Sequence, residues 1–125
     1  VFVEKERIYN RYVKNLKNIE GIDIPKVENW AKYIMWVFNL SINEKFGLSR
    51  DEVVSRLKEK NIETRNAFVP ISYQDFLIKK YNLFSKDDCP NANYLMNNGF
   101  YLPSGNNISN EDIDFVCDEL KKLAT

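Results

Sequence analysis

The sequence predicts an α+β domain, a small sheet of about three strands covered mainly on one face by helices, with the first helix as an outrigger. Three observations carry this. The apolar period changes from three-and-four spacing over residues 3–18 to a dense aromatic and β-branched run over 33–42. Two helix starts share a Ser-x-x-acid cap, at Ser49 with Glu52 and at Ser109 with Asp112. Short apolar segments are each closed by Gly, Pro or Asn.

The first helix is expected over Val3–Asn18, with Ile8, Tyr9, Tyr12, Val13, Leu16 and Ile19 on one face. Gly21 and Pro25 end it, and Ile22–Trp30 reads as a loop. Tyr33–Ile42 is the main strand, with Ile34, Trp36, Phe38, Leu40 and Ile42 on its core face. Asn43–Gly47 is polar and reads as a turn. The second helix starts at the Ser49 cap, with Leu48 and Val53 as its hydrophobic staple, and ends near Lys60-Asn61. Ile62–Phe68 is a second strand running extended into Pro70. Tyr73–Tyr81 is a short helix, Lys86–Asp88 an exposed turn, and Pro90 opens a helix that stops at Gly99. Phe100–Leu102 is a third strand. The last helix follows the Ser109 cap and turns Ile113, Val116, Cys117, Leu120 and Leu123 inward.

At 125 residues the chain is one domain, residues 1–125. Eighteen basic residues balance eighteen acidic ones, and the charges are interspersed, which argues against nucleic acid and membrane surfaces as partners. There is no histidine, which removes His-based acid/base chemistry, Ser-His and Cys-His nucleophiles and the commonest zinc sites. Cys89 and Cys117 lack metal-ligand spacing and read as free thiols of a reducing compartment, hence a cytoplasmic protein without a metal. A start at Val1 reads as a fragment boundary.

The residues left to carry chemistry are Arg65, Glu63, Ser72, Tyr73, the Ser104–Asn107 turn and the two thiols. Arg65 suits an anion in its planar fork, or a surface ion pair. The Ser104–Asn107 turn offers backbone N–H groups to an anion, or is a turn only. Cys117 falls on a core face, and Cys89 precedes a helix with no base in view. Trp30, Tyr33 and Trp36 read as core or as a stacking cluster.

The motif order resembles the C-terminal part of the DegT/DnrJ/StrS-type aminotransferases, pyridoxal-phosphate enzymes that place amino groups on nucleotide-linked sugars. The likeness runs through Lys5–Asn18 with Ile22-Asp23-Ile24-Pro25, Trp30–Leu40, Ser49–Arg65, Phe68-Val69-Pro70-Ile71, Cys89-Pro90-Asn91-Ala92, Phe100-Tyr101-Leu102-Pro103 and Ile108–Ile113. Tyr33–Phe38 is similar to the perosamine-synthase branch. The resemblance implies a small antiparallel sheet covered by helices, the small domain of a fold type I aminotransferase, and so about the last third of an enzyme.

The Schiff-base lysine and most cofactor contacts of such enzymes belong to a large domain that this chain does not resemble. Inactivity alone and no pyridoxal 5'-phosphate bound to this chain alone are therefore expected. The full-length enzyme would use that cofactor, a nucleotide-sugar substrate and an amino donor, act as a homodimer, and serve lipopolysaccharide or other surface-sugar biosynthesis. No residue is expected to be catalytic. Arg65, Asn66 and Phe68 are the substrate-binding residues that the resemblance implies. Ser72 stands where many relatives carry a histidine, implying a different sugar or a degenerate copy. The alternative is a non-catalytic freestanding remnant or an interaction domain that self-associates. In either case Val1, Phe2, Trp30 and Tyr73 should be exposed or covered by another copy.

Overall fold

The computed structural model describes residues 1–82 and 85–124. Five α-helices are seen among them: α1 (Phe2–Leu16), α2 (Arg50–Glu59), α3 (Asp75–Tyr81), α4 (Pro90–Asn98) and α5 (Asn110–Leu123). Four strands, β1 (Ile22–Asp23), β2 (Phe38–Ile42), β3 (Arg65–Asn66) and β4 (Gly99–Leu102), form one sheet in the order β1-β2-β4-β3, every pair antiparallel. The α+β class and the small antiparallel sheet stand as expected, with a fourth strand added at the β1 edge.

The helix caps form as the sequence requires. Ser49 and Glu52 make a reciprocal capping box on α2, and Ser109 and Asp112 make another on α5. Pro90 occupies the first turn of α4, where its missing N–H costs nothing. Phe38, Leu40 and Ile42 of β2, with Phe100 and Leu102 of β4, bury one sheet face against α1, α2 and α5. Ile8, Tyr12 and Leu16, spaced four apart, are fully buried, and α1 packs along α5. The first helix is thus a central core element and not an outrigger. Tyr12 stacks on Phe38 with ring centroids 4.6 Å apart, a pairing worth about 0.5–1.5 kcal/mol beyond its buried area.

The second face is partly covered by α4. Strand alternation turns Ser41 away from the core, toward Tyr94 of α4.

Four further expectations change. The loop read over 22–30 contains β1, whose Ile22 pairs with Ile42. The polar turn at 43–47 is a 3-10 turn that buries Phe46 completely. The strand expected over 33–42 begins only at Phe38: Ile34 and Trp36 are exposed, while Met35 is buried. The reason lies across the sheet. Beyond the Phe38–Leu102 pair the register would bring Val37 opposite Pro103, whose backbone, like that of Gly99, faces β3 and not β2. The Ser104 hydroxyl then wedges between the strand ends, accepting from the Phe38 N–H at 2.8 Å and donating to the Leu102 carbonyl at 2.7 Å. The second strand is also shorter than read, because only Arg65 and Asn66 pair with β4. No helix among the described residues is long and apolar enough to cross a membrane.

Candidate functional site

Where the ladder stops, the strand ends part and leave a cleft of about 370 Å³. Its walls are Trp36 and Val37 ahead of β2, the Pro103–Gly105 turn after β4, and the Glu63–Arg65 edge. Arg65, Tyr101 and Asn39 fall in one row across β3, β4 and β2, on the face opposite the buried Phe100 and Leu40. The row is set by register alone.

Arg65 is exposed, and among the described residues its guanidinium makes no ion pair and no side-chain hydrogen bond. The ion-pair reading of this arginine is removed, and its planar donors face the cleft unused. Beside it, Phe68 packs on Tyr101 with centroids 5.5 Å apart and stacks on Trp36 at 6.1 Å, the two planes within 12°. Trp36 and Phe68 are 69% and 66% exposed, so this pair is a surface platform and not core. A second groove of about 380 Å³ shares Tyr101 with the cleft and continues past Phe68 and Pro70 to Leu95 of α4.

Of the residues singled out from sequence, Arg65 and Phe68 come together around Tyr101. Asn66 does not join them. It pairs with Phe100 in register, its side chain alternates to the other face, and it lines neither cavity.

Trp30, Tyr33 and Trp36 do not form one cluster. Trp30 is 86% exposed, Tyr33 packs edge-on against Tyr9, and Trp36 belongs to Phe68. Ser72 is buried, and its hydroxyl has no hydrogen-bond partner among the described residues. Tyr73 is half-buried under Lys86, whose ammonium lies 5.0 Å from the ring centroid. The Ser104–Asn107 turn uses its serine structurally, as the wedge described above. Both cysteines are free; Cys117 is buried, which pushes its thiol up to about 11, and Cys89 is exposed at the start of α4. No three His, Cys, Asp or Glu side chains gather as metal ligands among the described residues.

Two residues of the cleft were missed from sequence. Tyr101 could have been found from strand alternation next to Phe100. Lys5 carried one local signal, a cation in the first turns of a helix, where the dipole favours acids.

The model of the DegT/DnrJ/EryC1/StrS aminotransferase family matches residues 1–121. GDP-perosamine synthase of Escherichia coli O157:H7 is 27% identical over 123 residues, which is 98% of this chain and 31% of that protein. DesV of S. venezuelae, solved with a ketimine intermediate, superposes with a TM-score of 0.84 at 18% identity, over 96% of this chain and 31% of that one. E. coli GDP-4-keto-6-deoxy-D-mannose-3-dehydratase with bound hydrated PLP gives 0.81 at 18% identity, over 95% of this chain and 30% of that one. This chain spans about a third of the length of the curated relatives it matches. At these structural identities the likeness is one of fold, and the aminotransferase TlmJ from Streptoalloteichus hindustanus shares that fold with the dehydratase.

Proposed function

The chain belongs to the DegT/DnrJ/EryC1/StrS aminotransferase family, and we propose that it is the small domain of a pyridoxal-phosphate enzyme that aminates a nucleotide-linked keto-sugar for surface-polysaccharide synthesis. The observation that carries this reading is the Arg65 guanidinium, unpartnered among the described residues, in a cleft of a chain matching about a third of each relative. In it, Arg65 holds an anionic group of the substrate, and the Trp36–Phe68 platform forms an adjoining wall.

The residues do not by themselves fit pyridoxal phosphate. That cofactor needs a lysine to bond, a carboxylate for the ring nitrogen and a phosphate cradle. Lys5, the lysine of this cleft, is taken up by two backbone carbonyls. The chemistry of amino transfer is therefore assigned to a preceding large domain, which would supply the cofactor lysine. The working enzyme is proposed to be a cytoplasmic homodimer; the two free thiols agree with a reducing compartment.

The test is to read and express the coding region upstream of Val1 together with this chain. A cofactor-dependent transamination of a nucleotide-linked keto-sugar is expected, with kcat/KM reduced about ten-fold or more in Arg65→Met. An upstream region without such a lysine would instead make the chain a non-catalytic remnant.

A further inference from the structure

Lys5 lies on α1, yet its ammonium reaches both lips of the cleft. Its Nζ donates to the carbonyl oxygen of Trp36 at 2.8 Å and to that of Ser104 at 2.6 Å. These two carbonyls flank the point where the ladder stops at the Ser104 hydroxyl, so the lysine bonds groups that a continued sheet would have paired. An ammonium has three donors, and two are spent here.

The charge itself is not spent, because Lys5 makes no ion pair among the described residues. Lys5 and Arg65 are the two cations lining the cleft, against the single acid Glu63. Glu63 makes no ion pair among the described residues either. A cation this early in α1 works against the helix dipole, and the two carbonyls offset that cost.

We propose that Lys5 is a second, backbone-anchored cation of this cleft, which with Arg65 binds one anionic oxygen group of phosphate or carboxylate type. This rests on reading the Arg65 cleft as a ligand site. The carbonyls fix the ammonium at the meeting of the Trp36 and Ser104 walls, so little side-chain entropy is lost when an anion arrives. Arg65 supplies the planar fork and Lys5 the point charge. Because the Lys5 bonds also hold the Trp36 backbone, the same residue keeps the Trp36 ring against Phe68.

The strut and the charge can be separated. Lys5→Gln keeps N–H donors for the two carbonyls and removes the cation; Lys5→Arg keeps both. Inorganic phosphate is titrated into the chain, and backbone amide shifts are followed at Arg65, Tyr101 and Gly105. Saturable shifts at these positions are expected in the parent chain. Lys5→Gln should weaken the affinity about ten-fold or more at unchanged thermal stability, the scale of one charge-assisted hydrogen bond, while Lys5→Arg stays within a few-fold. Should Lys5→Gln unfold, the Lys5→Arg titration decides, since its failure to bind phosphate would overturn the proposal. Equal affinity in Lys5→Gln and the parent, with Arg65→Met losing binding, overturns the role of Lys5 and leaves Arg65 standing. Phosphate shifts absent from the cleft in the parent chain overturn both.

Discussion

Gly21 lies against the backbone of Phe46: a Cβ on Gly21 would come 2.2 Å from the Phe46 amide nitrogen and 2.4 Å from its Cα. The glycine has φ +84°, and its carbonyl accepts from the Asn43 N–H at 2.9 Å. It is the point where α1 turns into β1 while Phe46 closes the core from beneath. Gly21→Ala combines a left-handed backbone with a clash against main chain that cannot rotate away. A loss of about 3 kcal/mol or more is expected in urea unfolding. A variant as stable as the parent would mean that the turn repacks freely.

The Tyr12 hydroxyl donates to the Pro103 carbonyl at 2.8 Å from within the core. Burial also raises the phenol far above its ordinary range, so it stays protonated and a donor at all workable pH. Tyr12→Phe keeps the stack on Phe38 and removes only this bond. The expected cost is about 1–2 kcal/mol with an unchanged denaturant slope. The bond also tethers the turn that forms one lip of the cleft, so amide exchange at Ser104 and Gly105 should quicken in the same variant. Unaltered exchange there would separate the core bond from the cleft.

Arg11 and Asn15 of α1 both hold Asp114 of α5, Asn15 Nδ2 at 2.8 Å and Arg11 Nε at 2.8 Å. The Arg11 guanidinium lowers the Asp114 carboxyl from 3.8 to about 2. A depressed carboxylate contributes stability that is fully present above its unfolded value and is lost as pH falls through its folded value. The window is therefore from about pH 4 down to about pH 2. Arg11 and Asp114 are each more than a third exposed, so solvent screening keeps the effect small. Asp114→Asn should melt lower than the parent at neutral pH, and the gap should close across that window. A gap that does not change with pH would assign the loss to packing.

The parts of this fold that were legible in sequence are the ones decided within a few residues. Ser49 with Glu52 and Ser109 with Asp112 each settle a helix start locally, and the periodicity of Ile8, Tyr12 and Leu16 marks the buried face of α1. The shortening of β2 is different in kind. Tyr33–Val37 has the composition of a strand, but the Ser104 hydroxyl occupies the ladder at Phe38 and Leu102, and that approach cannot be seen until the register is known. A two-residue edge strand such as β1 has too little length to show any period. The cleft divides the same way: Arg65 stood out as a lone planar cation in a motif, while Lys5 acts through backbone carbonyls 31 and 99 residues away. The role of Lys5 depends on where the chain returns, which no local pattern records.

Trp36 and Phe68 present stacked rings, about two-thirds exposed, next to Val69 at 55% and Ile71 at 62%. Val1, Phe2 and Trp30, at 82%, 69% and 86%, are exposed as expected, while Tyr73 is half-buried. A contiguous aromatic and branched patch of this kind drives association when nothing covers it. Light scattering after size exclusion should give an apparent mass that rises with loading concentration. Trp36→Ser should lower that rise without changing the melting temperature by more than a degree or so, since the ring is mostly in solvent. Trp30→Ser tests whether the effect is local, because Trp30 touches neither Phe68 nor Tyr101 among the described residues. An equal drop from both variants would point to general stickiness. A parent chain that stays monomeric at every concentration would mean that the platform's exposure has no consequence for self-association.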